Sequence, residues 1–283
     1  MTGMFALNQK TQHAERDQLS VLLAVTLLSA TLFRFVELPT FTIWSTPQIL
    51  GSPLRFSIGG DWMLSVLMTG LVATGVLSIM QTHPLRQAQE RWLGFSLITP
   101  TLGALLLSRL LVRATAAWSV WLITLLLGGV VLGVLVYLSH RAFSPQATAY
   151  PSARTLLNIL DYLLGFVLFN LTIEGQERAL VIAPSIFLLS GFLALELLSA
   201  SGVPAGAVLL YGGVIALLES EVAWVIGYWP VSAWTAATLL TLGLYLLNGI
   251  TYQLLLKRLT RQIVIEFATM ALLMFLLALW IRP

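Results

Sequence analysis

The sequence predicts an all-α protein, a polytopic bundle of transmembrane helices. Hydrophobic residues make up 58% of the 283 residues and charged residues only 10%, whereas a soluble domain is about half apolar and about a quarter charged. Apolar segments that could each cross about 30 Å of hydrocarbon recur along the chain. The loops between them are short, so they leave no room for a soluble catalytic or ligand-binding domain.

We count nine spans, to within about one. They are predicted at 19–38, 61–81, 93–113, 116–139, 155–173, 179–199, 204–228, 232–256 and 262–280. Residues 1–18 are polar and predict a cytoplasmic tail, so 19–283 form a single transmembrane domain. Segment 39–60 has three prolines and three glycines around strand-like pieces. It predicts an outer hairpin or re-entrant loop, because unpaired backbone cannot face lipid.

The orientation follows from lysine and arginine, which concentrate in cytoplasmic loops. An N-terminus inside places most loop cations in the cytoplasm and the C-terminus outside. Eight of the nine tryptophans then map near the outer face, and only Trp92 maps near the inner one. We expect the protein in the plasma membrane of a bacterium.

Charged residues of the outer half predict a polar cluster, because charge in a membrane needs a partner, water or the bundle interior. Glu219 and Glu221 are separated by about 200° around their helix and point apart. One of them is expected to face inward and pair with Arg34 or Arg109, beneath the 39–60 loop. Alternatively, each charge has a local partner or reaches the interface, with no ligand. The predicted binding residues are Arg34, Glu37, Arg109, Glu219, Glu221 and Trp224.

A second group of acids is predicted near the inner face. Asp161 lies well inside its span, and Glu196 is close to it in depth. The pair is a candidate proton or cation site, with Asp161 the better candidate. A role in hydrogen-bonded helix packing is the alternative.

Other chemistry has no support in the sequence. The chain has no cysteine, and its histidines, His13, His83 and His140, fall in polar segments rather than in spans. We find no HExxH, aspartate-rich diphosphate motif, phosphate loop or nucleophile elbow. We therefore assign no catalytic residue, no metal site and no cofactor. The net charge of +3 is small, so we expect membrane lipids and other membrane subunits as partners rather than nucleic acid.

Four segments resemble an uncharacterised family of bacterial multi-pass membrane proteins. They are RFVELP at 34–39, LGSPL at 50–54, YPSARTLLN at 150–158, and the stretch 219–234. The resemblance implies that the Arg34 and Glu37 edge belongs with the glutamate helix, and it implies no function.

Three functions stay open, and the sequence favours a non-catalytic one. The first is a binding or accessory component of a membrane assembly, favoured by short loops and the absence of a chemical motif. The second is a small-solute or ion transporter, favoured by acids at both depths. The third is an enzyme acting on lipid or isoprenoid substrates at the outer face. Substrate, oligomeric state and the identity of the inward-facing glutamate do not follow from the sequence.

Overall fold

Nine helices and one hairpin make up the part of the chain that the computed structural model describes, residues 2–36, 41–49, 52–81, 94–114, 117–143, 150–175 and 179–280. The elements are α1 (Thr2–Phe35), β1 (Phe41–Ile49), β2 (Ser52–Ile58), α2 (Gly60–Gln81), α3 (Ile98–Arg113), α4 (Trp118–Ala142), α5 (Tyr150–Glu174), α6 (Ala179–Ser199), α7 (Ala205–Ile226), α8 (Ala233–Leu255) and α9 (Arg261–Trp280). The predicted helical fold is confirmed.

The nine helices lie where the nine spans are predicted, but not all are long membrane helices. Seven of them are long and apolar enough to cross a membrane, which indicates a multi-pass membrane protein. Helix α3 has 16 residues and extends for only about 24 Å. It begins at Ile98 rather than at 93, because residues 94–97 form turns. The count of nine spans and the orientation of the termini stay predictions.

The N-terminal region differs most from the expected pattern. Helix α1 begins at Thr2, so the polar segment predicted as a tail is helical. Its candidate membrane span is Asp17–Phe35. The residues ahead of this span include many good helix formers, such as alanine, glutamine and lysine, and no proline interrupts them. The segment that follows α1 forms an antiparallel hairpin of β1 and β2, with Phe41 opposite Ile58.

The chain divides into two compact units. The first unit comprises Met1–Gln87 and Pro100–His140, and the second comprises Ala88–Thr99 and Arg141–Pro283. In the first unit, the Ser108 hydroxyl donates to the Ser65 hydroxyl at 2.9 Å and so joins α3 to α2.

The second unit is built from α5 to α9. Helix α6 packs against α5, α7 and α8, and α8 also packs against α5, α7 and α9. The connections of α5 to α6, α6 to α7 and α7 to α8 are short, so these helices alternate in direction. We call the end where α5 begins and α6 ends the arginine end, after Arg154. The opposite end, where α7 ends and α8 begins, is the tryptophan end, after Trp229.

Glycine lets α6 and α7 approach closely. A Cβ on Gly191 of α6 would lie 3.1 Å from the Cβ of Ala216, and one on Gly212 of α7 would lie 2.7 Å from Leu195 Cδ2. Association of helices in lipid depends on such van der Waals contact, because lipid is as apolar as the helix surface. The close contact of α6 and α7 fixes the frame that holds the acids described below.

Replacement of Gly212 by leucine is expected to destabilise the second unit by about 1–3 kcal/mol, because the new side chain overlaps Leu195. The matched control is Gly213→Leu, since a Cβ on the neighbouring Gly213 meets nothing within 4 Å. Thermal unfolding in mild detergent measures the difference. Equal unfolding temperatures for the two variants would contradict the close packing of α6 and α7.

Candidate functional site

Arg154 of α5 binds α6 at the arginine end of the second unit. Its Nη1 donates to Glu196 Oε1 at 2.8 Å, and its Nη2 donates to the Glu196 backbone oxygen at 2.7 Å. Both side chains are buried, with 12% of Arg154 and 2% of Glu196 exposed. One guanidinium therefore holds the side chain and the backbone of the same residue. A buried ion pair of this kind is costly to form, but removing one partner leaves a charge without compensation.

Asp161 lies deeper in the same helix and has a weaker partner. It is fully buried, and its Oδ1 accepts a hydrogen bond from Thr99 Oγ1 at 2.6 Å. Asp161 also interacts electrostatically with Glu196 and with Arg154. The sequence-predicted acids Asp161 and Glu196 thus belong to one electrostatic cluster.

We call these residues the buried acid cluster: Thr99, Arg154, Asp161 and Glu196. Two of its oxygens are buried and have no hydrogen-bond partner among the described residues: Asp161 Oδ2 and Glu196 Oε2. Buried polar atoms in native proteins almost always have a partner. The cluster therefore has unused capacity to accept hydrogen bonds.

The charges of the cluster do not balance when all of them are ionised. Two carboxylates face one guanidinium, so one negative charge stays uncompensated in an apolar environment, where such a charge is expensive. One bound proton or one monovalent cation would restore neutrality. In the described part of the chain no group of three or more histidine, cysteine, aspartate or glutamate side chains could hold a metal ion.

Glu219 is the inward-facing member of the predicted glutamate pair. Only 1% of Glu219 is exposed, whereas Glu221 is exposed. This opposition agrees with the helical angle between the two residues. Within the described residues neither carboxyl oxygen of Glu219 has a hydrogen-bond partner. Trp224, which the sequence groups with Glu221, is 41% exposed.

The arginines of the predicted outer cluster belong to the first unit and lie against tryptophan rings. The Arg109 guanidinium carbon is 4.6 Å from the centre of the Trp62 ring, and that of Arg34 is 5.7 Å from the centre of the Trp118 ring. Such stacking stabilises a cation at the edge of a membrane. Glu37 lies outside the described residues. The pairing of a glutamate with Arg34 or Arg109 would join the two units, and it stays a prediction.

A small pocket lies at the tryptophan end of the second unit. Its volume is about 140 Å³, and its lining includes Ile173, Ile182, Ala223, Trp229 and Ala236. Sites for small organic molecules usually occupy about 300–1,000 Å³. This pocket is too small to seat such a molecule.

Two residues of the site could not be found from the sequence. Thr99 contacts Asp161 across 62 positions of the chain, and no local pattern predicts such a contact. Gly243 of α8 lies against Glu219: a Cβ built on it would be 2.5 Å from Glu219 Oε1. One signal was present for Gly243, since a glycine inside a membrane helix often marks a close approach.

Replacement of Glu196 by glutamine is expected to destabilise the protein by about 3–5 kcal/mol, because the Arg154 guanidinium loses its buried counter-charge. The double variant Arg154→Met with Glu196→Gln removes both charges and should recover part of this loss. Chemical unfolding in detergent, arranged as a double-mutant cycle with Arg154→Met alone, gives the coupling energy. Strict additivity of the two single changes would show that the pair does not act as a unit.

Comparison with known proteins gives a family and no function. The model of a family described as "Protein of unknown function (DUF5656)" matches residues 39–281. No curated protein and no solved structure matches the chain. The resemblance to an uncharacterised family, read from short segments of the sequence, is thereby confirmed. The match covers most of the 283 residues, and the chain belongs to the DUF5656 family of proteins of unknown function.

Proposed function

We propose that this protein takes up and releases protons within the membrane, through the buried acid cluster, and so works as an ion-translocating protein. The observation that carries the proposal is Asp161, a fully buried acid with one oxygen that has no partner among the described residues. Ionisable side chains are rare in membrane helices and commonly mark proton or ion pathways.

The two acids of the cluster have different roles in this proposal. Glu196 has a guanidinium at 2.8 Å, so its charge is compensated. Among the described residues, Asp161 has only the neutral Thr99 hydroxyl as a hydrogen-bond donor, and it interacts with the like charge of Glu196. The missing positive charge is therefore best placed on Asp161, as a proton on Oδ2. In this scheme Arg154 and Glu196 hold the frame, and Asp161 changes its protonation state.

The membrane setting is part of the proposal. We place the chain in the bacterial cell membrane with nine spans, with its N-terminus in the cytoplasm and its C-terminus outside. Lipids surround its exposed apolar side chains. In this orientation the arginine end of the second unit faces the cytoplasm, and Arg154 agrees with the preference of arginine for that side. The buried acid cluster would then exchange protons with the cytoplasm.

A second candidate function is a non-catalytic accessory component of a membrane assembly. The hydrogen bonds of Arg154 to the side chain and the backbone of Glu196 favour it, because they join two helices and involve no reaction. On this view the Arg154 and Glu196 pair only fastens α5 to α6. The two candidates differ in one property: an accessory component needs no exchange of protons at Asp161.

Replacement of Asp161 by asparagine is expected to reduce proton uptake to the level of empty liposomes, because asparagine keeps the shape and the acceptor for Thr99 but cannot ionise. The measurement uses the full chain in liposomes with a pH-sensitive dye inside and a potassium diffusion potential to drive protons inward. Glu266→Gln is the matched control, since it removes an exposed acid of the second unit and should leave uptake unchanged.

Two outcomes would contradict the proposal. The first is uptake by the Asp161→Asn protein at the wild-type rate. The second is absence of uptake by the folded wild-type protein, which would favour the accessory candidate. Elution as a single species in detergent verifies that each variant is folded.

A further inference from the structure

We propose that Glu219 is a second proton-binding residue, separate from the buried acid cluster and held in a recess that Gly243 leaves open. Its place in a proton pathway rests on the proposed function, whereas its own protonation does not. Glu219 lies about 21 Å along α7 from Ala205 at the arginine end. Asp161 lies about 16 Å along α5 from Tyr150 at the same end. The two acids are on different helices of the second unit.

The recess is formed by the missing side chain of Gly243. Glu219 Oε1 is 2.5 Å, and Glu219 Cδ is 3.4 Å, from the position that a Cβ at Gly243 would occupy. Any other residue at 243 would displace the carboxyl group, because atoms do not approach so closely. Helix α8 therefore accommodates the carboxyl group of Glu219 at a position where its backbone carries no side chain.

In the part of the chain that the structure describes, no charged group forms a hydrogen bond with Glu219 in this recess. Helices α6 and α8 pack against α7, and their titratable residues are Glu196, Tyr245 and Tyr252. Glu196 lies near the arginine end and is bound to Arg154, while Tyr245 packs on Tyr162 and Phe267. The other titratable residues of α7 are Tyr211 and Glu221. Among the described residues none of these groups forms a hydrogen bond with Glu219.

The chemistry of a lone carboxyl selects a proton as the ligand. A metal cation needs several oxygen ligands, six or more for calcium and magnesium. Glu219 supplies two oxygens, and the described residues add no acid or histidine group that would complete such a site. A proton needs only one oxygen, and it removes the cost of an unpaired charge in an apolar environment.

Buried amides lie at other depths of the same unit. Both polar atoms of the Asn248 amide and Nδ2 of Asn170 are buried without a hydrogen-bond partner among the described residues. Asn248 lies about 10 Å along α8 from Leu255, and Asn170 about 30 Å along α5 from Tyr150. Polar groups able to bind water or pass a proton therefore occur both nearer to and farther from the arginine end than Glu219. With increasing distance from the arginine end, Glu219 is the next acid after Asp161.

Infrared spectroscopy of the full chain in liposomes tests the proposal directly. A protonated carboxyl group has a carbonyl band that an ionised carboxylate lacks, and replacement by glutamine removes that band. We expect a pH titration of the wild-type protein to show a protonated-carboxyl band that is absent from Glu219→Gln and retained in the control Glu266→Gln, which removes an exposed acid. Gly243→Ala should shift the frequency of this band, because its methyl carbon would overlap Oε1.

The outcomes separate this proposal from the proposed function. Protonated-carboxyl bands that are the same in Glu219→Gln and in the wild type would overturn the assignment of Glu219. An unshifted band in Gly243→Ala would show that Gly243 does not form a recess for the Glu219 carboxyl group. This variant still tests the proposal if Glu219→Gln fails to fold. A band assigned to Glu219 in a protein without proton uptake would leave Glu219 as a proton-binding residue and refute transport. Proton uptake that depends on Asp161, without a band assigned to Glu219, would support transport and overturn the assignment of Glu219.

Discussion

The absence of water in the hydrocarbon core is the constraint on which this structure depends, because each polar group must then find a partner within the protein. Many hydroxyl groups find such a partner within their own helix. Thr26, Thr124 and Ser190, for example, each donate to the backbone oxygen four residues earlier. Such a bond uses the hydroxyl hydrogen, so the group can accept a hydrogen bond from another helix but no longer donates one. Thr99 differs because it is the second residue of α3 and follows a turn. Its hydroxyl is therefore available to Asp161.

The same constraint explains why glycine matters at the acid sites. Helices in lipid gain stability from close contact rather than from the removal of water, so small residues bring α6 and α7 together at Gly191 and Gly212. Gly243 uses its small size differently, because it leaves space for the carboxyl group of Glu219. Glycine therefore allows α6 and α7 to pack closely, and in α8 it leaves space for the buried carboxyl group of Glu219.

The sequence predicts the helices well because membrane spans are long and their apolar signal is strong. It also predicts that Glu219 and Glu221 point apart, because the helical angle depends only on spacing. It does not predict which of them is buried, since Leu217, Leu218, Val222 and Ala223 make the neighbouring positions of α7 apolar on several faces. The bond between Thr99 and Asp161 joins distant segments, and only the packing of the helices brings them together.

Compensation of charge decreases with distance from the arginine end of the second unit. Glu196, close to that end, has a guanidinium partner. Asp161, about 16 Å from it, has a neutral hydroxyl, and Glu219, at about 21 Å, has no hydrogen-bond partner among the described residues. Acids that served only to join helices would each be expected to have a partner, because burial without one is costly. The observed trend agrees with the proposed binding and release of protons, since a permanent cation at each acid would hold it ionised.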